Sequence, residues 1–159
     1  MYNCNQPEGA EIEQINFIPI NGHDLLNPNG EKLFIKGTNL GNWLNPEGYM
    51  LNFNKANSGR FINEMFCQMV GPDFTADFWT KFKDNYITYD DIRFIKQTGS
   101  NTVRLPFHYK LFTDEDYMGL TGNQDGFARI DTLISWCKKE ELYLILDMHD
   151  APGGQTGDN

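Results

Sequence analysis

Apolar positions along the chain follow two periods, and the alternation between them sets the expected elements. Residues 142–148 form a nearly continuous apolar run, short enough for a strand and too long for a single half-exposed face. The expectation is a strand buried on both sides, as in parallel sheets covered by helices. Upstream, residues 124–139 carry Phe127, Ile130, Leu133, Ile134 and Cys137 at helical spacing, with Lys138 and Lys139 suited to a last turn. The β-branched stretch Asn101-Thr-Val-Arg-Leu-Pro106 reads as a short strand ended by its proline, with a loop through His108, Tyr109 and Phe112 after it.

Residues 55–87 read as two helices. Asn57 caps the first, Phe61, Met65 and Met69 lie on one face, and Gly71-Pro72 ends it; the second carries Phe74, Phe78 and Phe82. Thr88 followed by Asp91 makes a capping box for a short helix with Ile92 and Ile95 on its buried side and Gly99 as its stop. Near the start, Asn29-Gly30 between two apolar stretches signals a hairpin, whose second arm runs from Leu33 towards Leu40 as the first parallel strand or its lead-in. The order is hairpin, strand, helices, strand, helix, strand, which predicts parallel βαβ units with right-handed crossovers. Residues 1–16 are a polar lead-in, and 17–159 are expected to be part of a single α/β domain.

Composition narrows the function classes. The net charge of −9, with no cluster of Lys or Arg, argues against nucleic acid and anionic membrane surfaces as partners. No run has membrane-spanning length and no signal-peptide core follows Met1, so no membrane insertion is expected and the compartment is left open by the residues themselves. Three cysteines (Cys4, Cys67, Cys137) are too few and too scattered for a disulfide framework or a zinc site.

The chemistry gathers where the expected strands end, which is where barrels and open α/β sheets bind ligands. After the first strand come Asn39, Asn42, Trp43, Glu47 and Tyr49; near the end of the second is Arg104; after the third are Asp147, His149 and Asp150. The glycines from Pro152 to Gly157 match neither a P-loop nor a dinucleotide fingerprint. Asp147 and His149 share a strand face and are conceivable metal ligands, but His23 and His108 offer no partner spacing, so no metal and no cofactor are expected. Arg104 either pairs with a structural carboxylate or keeps a catalytic one ionised. Stacking on the apolar faces of sugars is open to Trp43, Tyr49, Tyr109 and Phe112, against the alternative of ordinary core packing.

Three segments taken together resemble glycoside hydrolase family 5, on the side of the exo-β-1,3-glucanases and related β-glucanases: Lys36-Gly-Thr-Asn-Leu-Gly-Asn-Trp-Leu44, Asn101-Thr-Val-Arg-Leu-Pro106, and Leu146-Asp-Met-His-Asp-Ala-Pro-Gly-Gly-Gln155. The resemblance implies the N-terminal part of a (β/α)8 barrel, about three βα units behind a leading hairpin, and a retaining mechanism with two glutamates. In the family those glutamates follow the fourth and seventh strands, so both are expected beyond Asn159; Asn63-Glu64 falls inside a helical pattern instead. The implied supporting residues are Arg104, beside the nucleophile, and His149, beside the cleaved sugar. The implied substrate-binding residues are Glu47, Trp43, Asn39 and Tyr49, with Gly48 standing between Glu47 and Tyr49 and Asp150 where a small residue is common.

The implied partners are a β-glucan or oligosaccharide substrate and the C-terminal portion of the barrel, and the implied location is extracellular, periplasmic or cell-surface. The 159-residue chain alone is expected to be inactive, and poorly folded with only about three of the eight strands a barrel needs. A non-catalytic carbohydrate-binding or scaffold protein, or a metal-dependent barrel hydrolase, are the alternative readings.

Overall fold

The structure, a computed structural model, describes residues 17–119 and 125–152. The chain divides into two compact units, at residues 1–34 and 35–159.

In the first unit, β1 (Ile20–Asn21) pairs antiparallel with β2 (Asp24–Leu25) across Gly22-His23, Gly22 taking a φ of 62°. The chain reverses again at the expected Asn29-Gly30 turn, where Leu26 bridges Lys32 antiparallel and Gly30 takes a φ of 81°. Asn27 organises that turn: its Oδ1 accepts the N–H groups of Asn29 at 3.0 Å and Glu31 at 2.9 Å. This is the local side-chain capping that makes asparagine a turn residue.

The second unit is built on three parallel strands in the order β3 (Gly37–Asn39), β4 (Thr102–His108), β5 (Tyr143–Asp150). Register places Asn39 beside Arg104, Arg104 beside Ile145, and Pro106 beside Asp147. An irregularity at Phe107/His108 then sets His108 opposite Asp150. The first strand is shorter than the expected run from Leu33 to Leu40. Gly37 is required where it starts, since a Cβ there would lie 1.8 Å from the Thr102 carbonyl oxygen.

Pro106 does not end β4, contrary to expectation. The even-numbered residues of β4 turn their backbone groups towards β3: the Arg104 carbonyl accepts from Leu40 N–H, and His108 N–H donates to the Leu44 carbonyl. Pro106 falls between those two bonds, where β3 has given way to a loop, so its missing N–H forfeits no ladder bond.

The helices are α1 (Gly59–Val70), α2 (Pro72–Asn85), α3 (Tyr89–Gln97) and α4 (Asp125–Lys139); α1 packs on α2, and α4 packs on β5 and α3. The Thr88 capping box forms as read, with Asp91 Oδ2 accepting from the Thr88 backbone N–H at 2.8 Å and hydroxyl at 2.7 Å. Gly71 (φ 87°) and Pro72 separate α1 from α2. The cap of α1 is Ser58, not Asn57; its Oγ accepts from Phe61 N–H. The buried stripes are also rotated from those expected. On α1 the stripe is Ile62, Met65 and Phe66, with Met69 71% exposed; on α2 it is Thr75, Trp79 and Lys83, with Phe74 72% exposed. β5 is half-covered rather than buried on both sides, with Leu146 and Met148 exposed on one face; among the described residues only β4 pairs with it.

Lys83 is the residue that spacing did not single out. Its ammonium is wholly buried and pairs with Asp125 at 2.7 Å, while Arg129 joins Asp125 at 2.9 Å and Asp84 at 2.7 Å. Burial lowers the Lys83 pKa, and Asp125 opposes that shift.

Cys137, buried on α4, gives the fold a pH signature. Burial pushes its thiol up from 9.0 to about 12. Below pH 9.0 the thiol is protonated folded and unfolded alike; between 9.0 and about 12 the unfolded chain loses the proton that the folded one keeps. Stability contributed by this group is therefore lost as pH rises through that window. Denaturant melts across pH 8–11 are expected to show a decline that is shallower in Cys137→Ala, and parallel slopes for the two proteins would refute it.

Candidate active-site rim

The side chains that the sequence marked come together at the C-terminal ends of the parallel strands. Arg104 on β4 and Asp147 and His149 on β5 share one face of the sheet, as the register requires. Asp147 Oδ2 accepts a hydrogen bond from Arg104 Nη2, and the same oxygen lies 3.0 Å from His149 Nδ1. Arg104 Nη2 and His149 Nδ1 are 3.2 Å apart. All three are partly exposed, at 32%, 29% and 22% of side-chain area, so the cluster opens on the rim rather than sealing the core. Of the two readings of Arg104, the structure shows the pairing with a carboxylate of its own chain. That bond engages one nitrogen of a guanidinium that carries five donors.

The loop after β3 supplies the second group. Asn42, at a φ of 67°, is buried, and its Oδ1 accepts the Glu47 N–H at 3.0 Å, which fixes where Glu47 leaves the backbone. Glu47 is half-buried, and the Tyr49 hydroxyl donates towards its Oε2 at 3.5 Å, while the Tyr49 ring is 74% exposed. Gly48 begins the short 3₁₀ turn Gly48–Leu51 and has no room for a side chain, because a Cβ would meet the Ala56 carbonyl oxygen at 1.8 Å. Asn39 is exposed, in register with Arg104.

Trp43 is placed elsewhere. It is 2% exposed, and its Nε1 donates to the Lys83 carbonyl at 2.8 Å. Its ring is therefore packed in the core and does not present a face to a sugar, which corrects the sequence expectation. Phe112 likewise packs against Phe107 and Phe127, and Tyr109 stacks on His108.

Tyr117, which carried no sequence signal beyond being an aromatic in a polar loop, closes the group. Its ring stacks on His108 with centroids 4.2 Å apart, and its hydroxyl donates to Asn45 Oδ1 at 3.3 Å. Burial holds its pKa well above the usual phenol range, and the negative charges of Asp150 and Glu47 add to the shift, so both carboxylates bear on this hydroxyl. The amide nitrogens of Asn42 and Asn45 are buried and have no hydrogen-bond partner among the described residues.

Residues 38–159 match the family model for cellulase, glycosyl hydrolase family 5. The chain belongs to that family. It is 31% identical over 142 residues to a β-xylosidase of Phanerodontia chrysosporium, a match covering 89% of this chain and 29% of that protein. It is 30% identical over 139 residues to a glucan 1,3-β-glucosidase of Kluyveromyces lactis, covering 80% and 32%. Among solved structures it superposes on the rutinosidase from Aspergillus niger with a TM-score of 0.58 at 23% identity, over 77% of this chain and 35% of that one. The family 5 chain thus spans about a third of the length of these relatives. Its strands and helices are the N-terminal part of a (β/α)8 barrel, and the Arg104 cluster lies on the face where such barrels carry their sites.

Among the described residues, no three His, Cys, Asp or Glu side chains are grouped to hold a metal ion, and no helix is long and apolar enough to cross a membrane. Of the expected glycine-rich loop, the part from Gly153 onward lies outside the described residues, as does the lead-in 1–16.

Proposed function

We propose that this chain is the N-terminal part of a retaining β-glycosidase that hydrolyses the O-glycosidic bonds of β-glucans. The observation that carries the reading is the Arg104–Asp147–His149 cluster, built across two adjacent parallel strands at the ligand-binding end of a family 5 barrel sheet. A retaining reaction needs one carboxylic acid to protonate the leaving oxygen and one carboxylate, about 5–5.5 Å away, to attack the anomeric carbon. In this reading both glutamates come from the polypeptide beyond Asn159.

The residues of this chain support that chemistry. Arg104 turns its remaining N–H donors to the nucleophile and keeps it ionised. His149 and Glu47 bond hydroxyls of the sugar being cleaved, with Tyr49 and Asn39 flanking it. Neither cofactor nor metal enters the reaction, and the polymeric substrate favours a place outside the cell. Trp43 keeps a structural part only.

The test is hydrolysis of β-1,3- and β-1,4-linked gluco-oligosaccharides by the complete polypeptide, with the anomer of the first product followed by NMR. Release of the β-anomer is expected, and the 159-residue piece alone is expected to release none. An α-anomeric first product, or cleavage of neither linkage by the complete protein, would sink the reading.

A further inference from the structure

We propose that Asp147 is a positioning residue that fixes the hydrogen-bonding sense of His149, so that His149 offers the substrate a lone pair on Nε2 rather than a proton. The proposal rests on the glycosidase reading for its substrate, but the argument is one of donors and acceptors.

Three groups meet at one point: Arg104 Nη2, His149 Nδ1 and Asp147 Oδ2. Arg104 can only donate, and ionised Asp147 can only accept. The Nδ1 nitrogen of a neutral imidazole does one or the other, never both. If Nδ1 carried the lone pair, it would take a hydrogen bond from Arg104, but its 3.0 Å approach to Asp147 Oδ2 would set two acceptors against each other. If Nδ1 carries the proton, it donates to Asp147, and Arg104 donates to the same oxygen. Every group is then satisfied, and the 3.2 Å between Arg104 and His149 is the distance between two donors sharing one acceptor.

The second arrangement has a direct consequence on the far side of the ring. With Nδ1 protonated, Nε2 of the neutral imidazole holds a lone pair and faces away from Asp147. It accepts a hydrogen bond from a sugar hydroxyl, and that hydroxyl's oxygen is left to accept from another group. Asp147 thereby selects a hydroxyl as donor at this position without touching the sugar. The carboxylate that sequence reading had considered as a metal ligand is accounted for by its two neighbours.

The inference also says what removal does. Without the Asp147 carboxylate, Arg104 Nη2 stands 3.2 Å from His149 Nδ1 and can donate to it there, so the ring reverses and Nε2 takes the proton. Asparagine at 147 retains an oxygen that both donors can share, so Asp147→Asn keeps the original sense.

The experiment is ¹⁵N–¹H correlation spectroscopy of the histidine rings in the complete protein, with His149 assigned by the signal lost in His149→Gln. The wild type is expected to show a neutral ring protonated on Nδ1, as are Asp147→Asn and Arg104→Met, and Asp147→Ala one protonated on Nε2. A wild-type ring protonated on Nε2, or on both nitrogens at neutral pH, overturns the proposal, as does an unchanged tautomer in Asp147→Ala. Should Asp147→Ala not fold, the wild-type and Arg104→Met spectra still decide. In kinetics, Asp147→Ala is expected to raise KM about tenfold with a smaller change in kcat, and Asp147→Asn to recover most of the loss. A protein that shows the tautomers but cleaves no β-glucoside refutes the glycosidase reading and leaves the role of Asp147 standing.

Discussion

On the proposed role of Arg104 beside the nucleophile of a complete glycosidase, its replacement with alanine is expected to lower kcat by about 10²- to 10³-fold, the loss typical of removing a preorganised charged donor from a reacting centre. Two effects act in the same direction. The nucleophile loses the cation that stabilises its ionised form, so a smaller fraction is ready to attack. Asp147 also keeps only His149 as a partner, and a carboxylate stripped of its cation disturbs the ring beside it. If Arg104 acts through the nucleophile rather than the sugar, as proposed, kcat should fall further than KM rises.

Lysine is a poor replacement. Its ammonium can hold Asp147 or reach towards the nucleophile, but it lacks the planar fork that lets one guanidinium bond two carboxylates. Arg104→Lys should therefore recover less than a tenth of the lost kcat. Steady-state kinetics on an aryl β-glucoside, together with a thermal melt of each variant, make the check. A kcat within a few-fold of wild type in Arg104→Ala would confine Arg104 to a structural ion pair with Asp147.

The parts of this structure that could be read beforehand are those fixed by neighbours in sequence. Thr88 and Asp91 are three residues apart and satisfy each other, so the start of α3 followed from spacing alone. The turn at Asn29-Gly30 and the break at Gly71-Pro72 depend on backbone conformations that few residues adopt, and both are where they were expected. The placement of Arg104 and His149 at neighbouring strand ends was legible for a different reason: each lies in a segment whose residue order resembled a family, and the parallel register brings the two strand ends side by side.

What escaped were choices made by tertiary packing. Phe74, Phe78 and Phe82 form a convincing helical stripe, but the neighbouring stripe of Thr75, Trp79 and Lys83 is the one buried, and it includes a lysine. No scale of hydrophobicity would bury Lys83; the partner that makes it tolerable, Asp125, is 42 residues away. Tyr117 was invisible for the same reason, since its hydroxyl meets Asn45 across 72 positions. Pro106 misled because its effect depends on whether a partner strand faces its nitrogen, and on that side β3 has already ended.

Trp43 is where the two readings of an aromatic residue diverge most in what they predict. A tryptophan stacked on a sugar contributes to binding and little to the fold, so truncating it would raise KM and leave the melting temperature nearly unchanged. The structure gives Trp43 the opposite setting: 2% exposure, a place in the hydrophobic core, and an indole N–H bonded to the carbonyl of the buried Lys83. Removing such a side chain loses its burial, opens a cavity and leaves a buried carbonyl with one fewer donor, which together cost about 3–5 kcal/mol. A fall of a few degrees in the melting temperature of Trp43→Ala is therefore expected, since each kcal/mol shifts the midpoint less in a larger domain. KM, measured well below that temperature, should stay within about twofold of wild type, because no lost contact belongs to the sugar. Trp43→Phe separates the terms, since it keeps most of the apolar volume and drops only the N–H; it should recover more than half of the stability. A Trp43→Ala protein that melts like the wild type but binds the proposed glucan substrate tenfold more weakly would return Trp43 to the rim and contradict the packing described above.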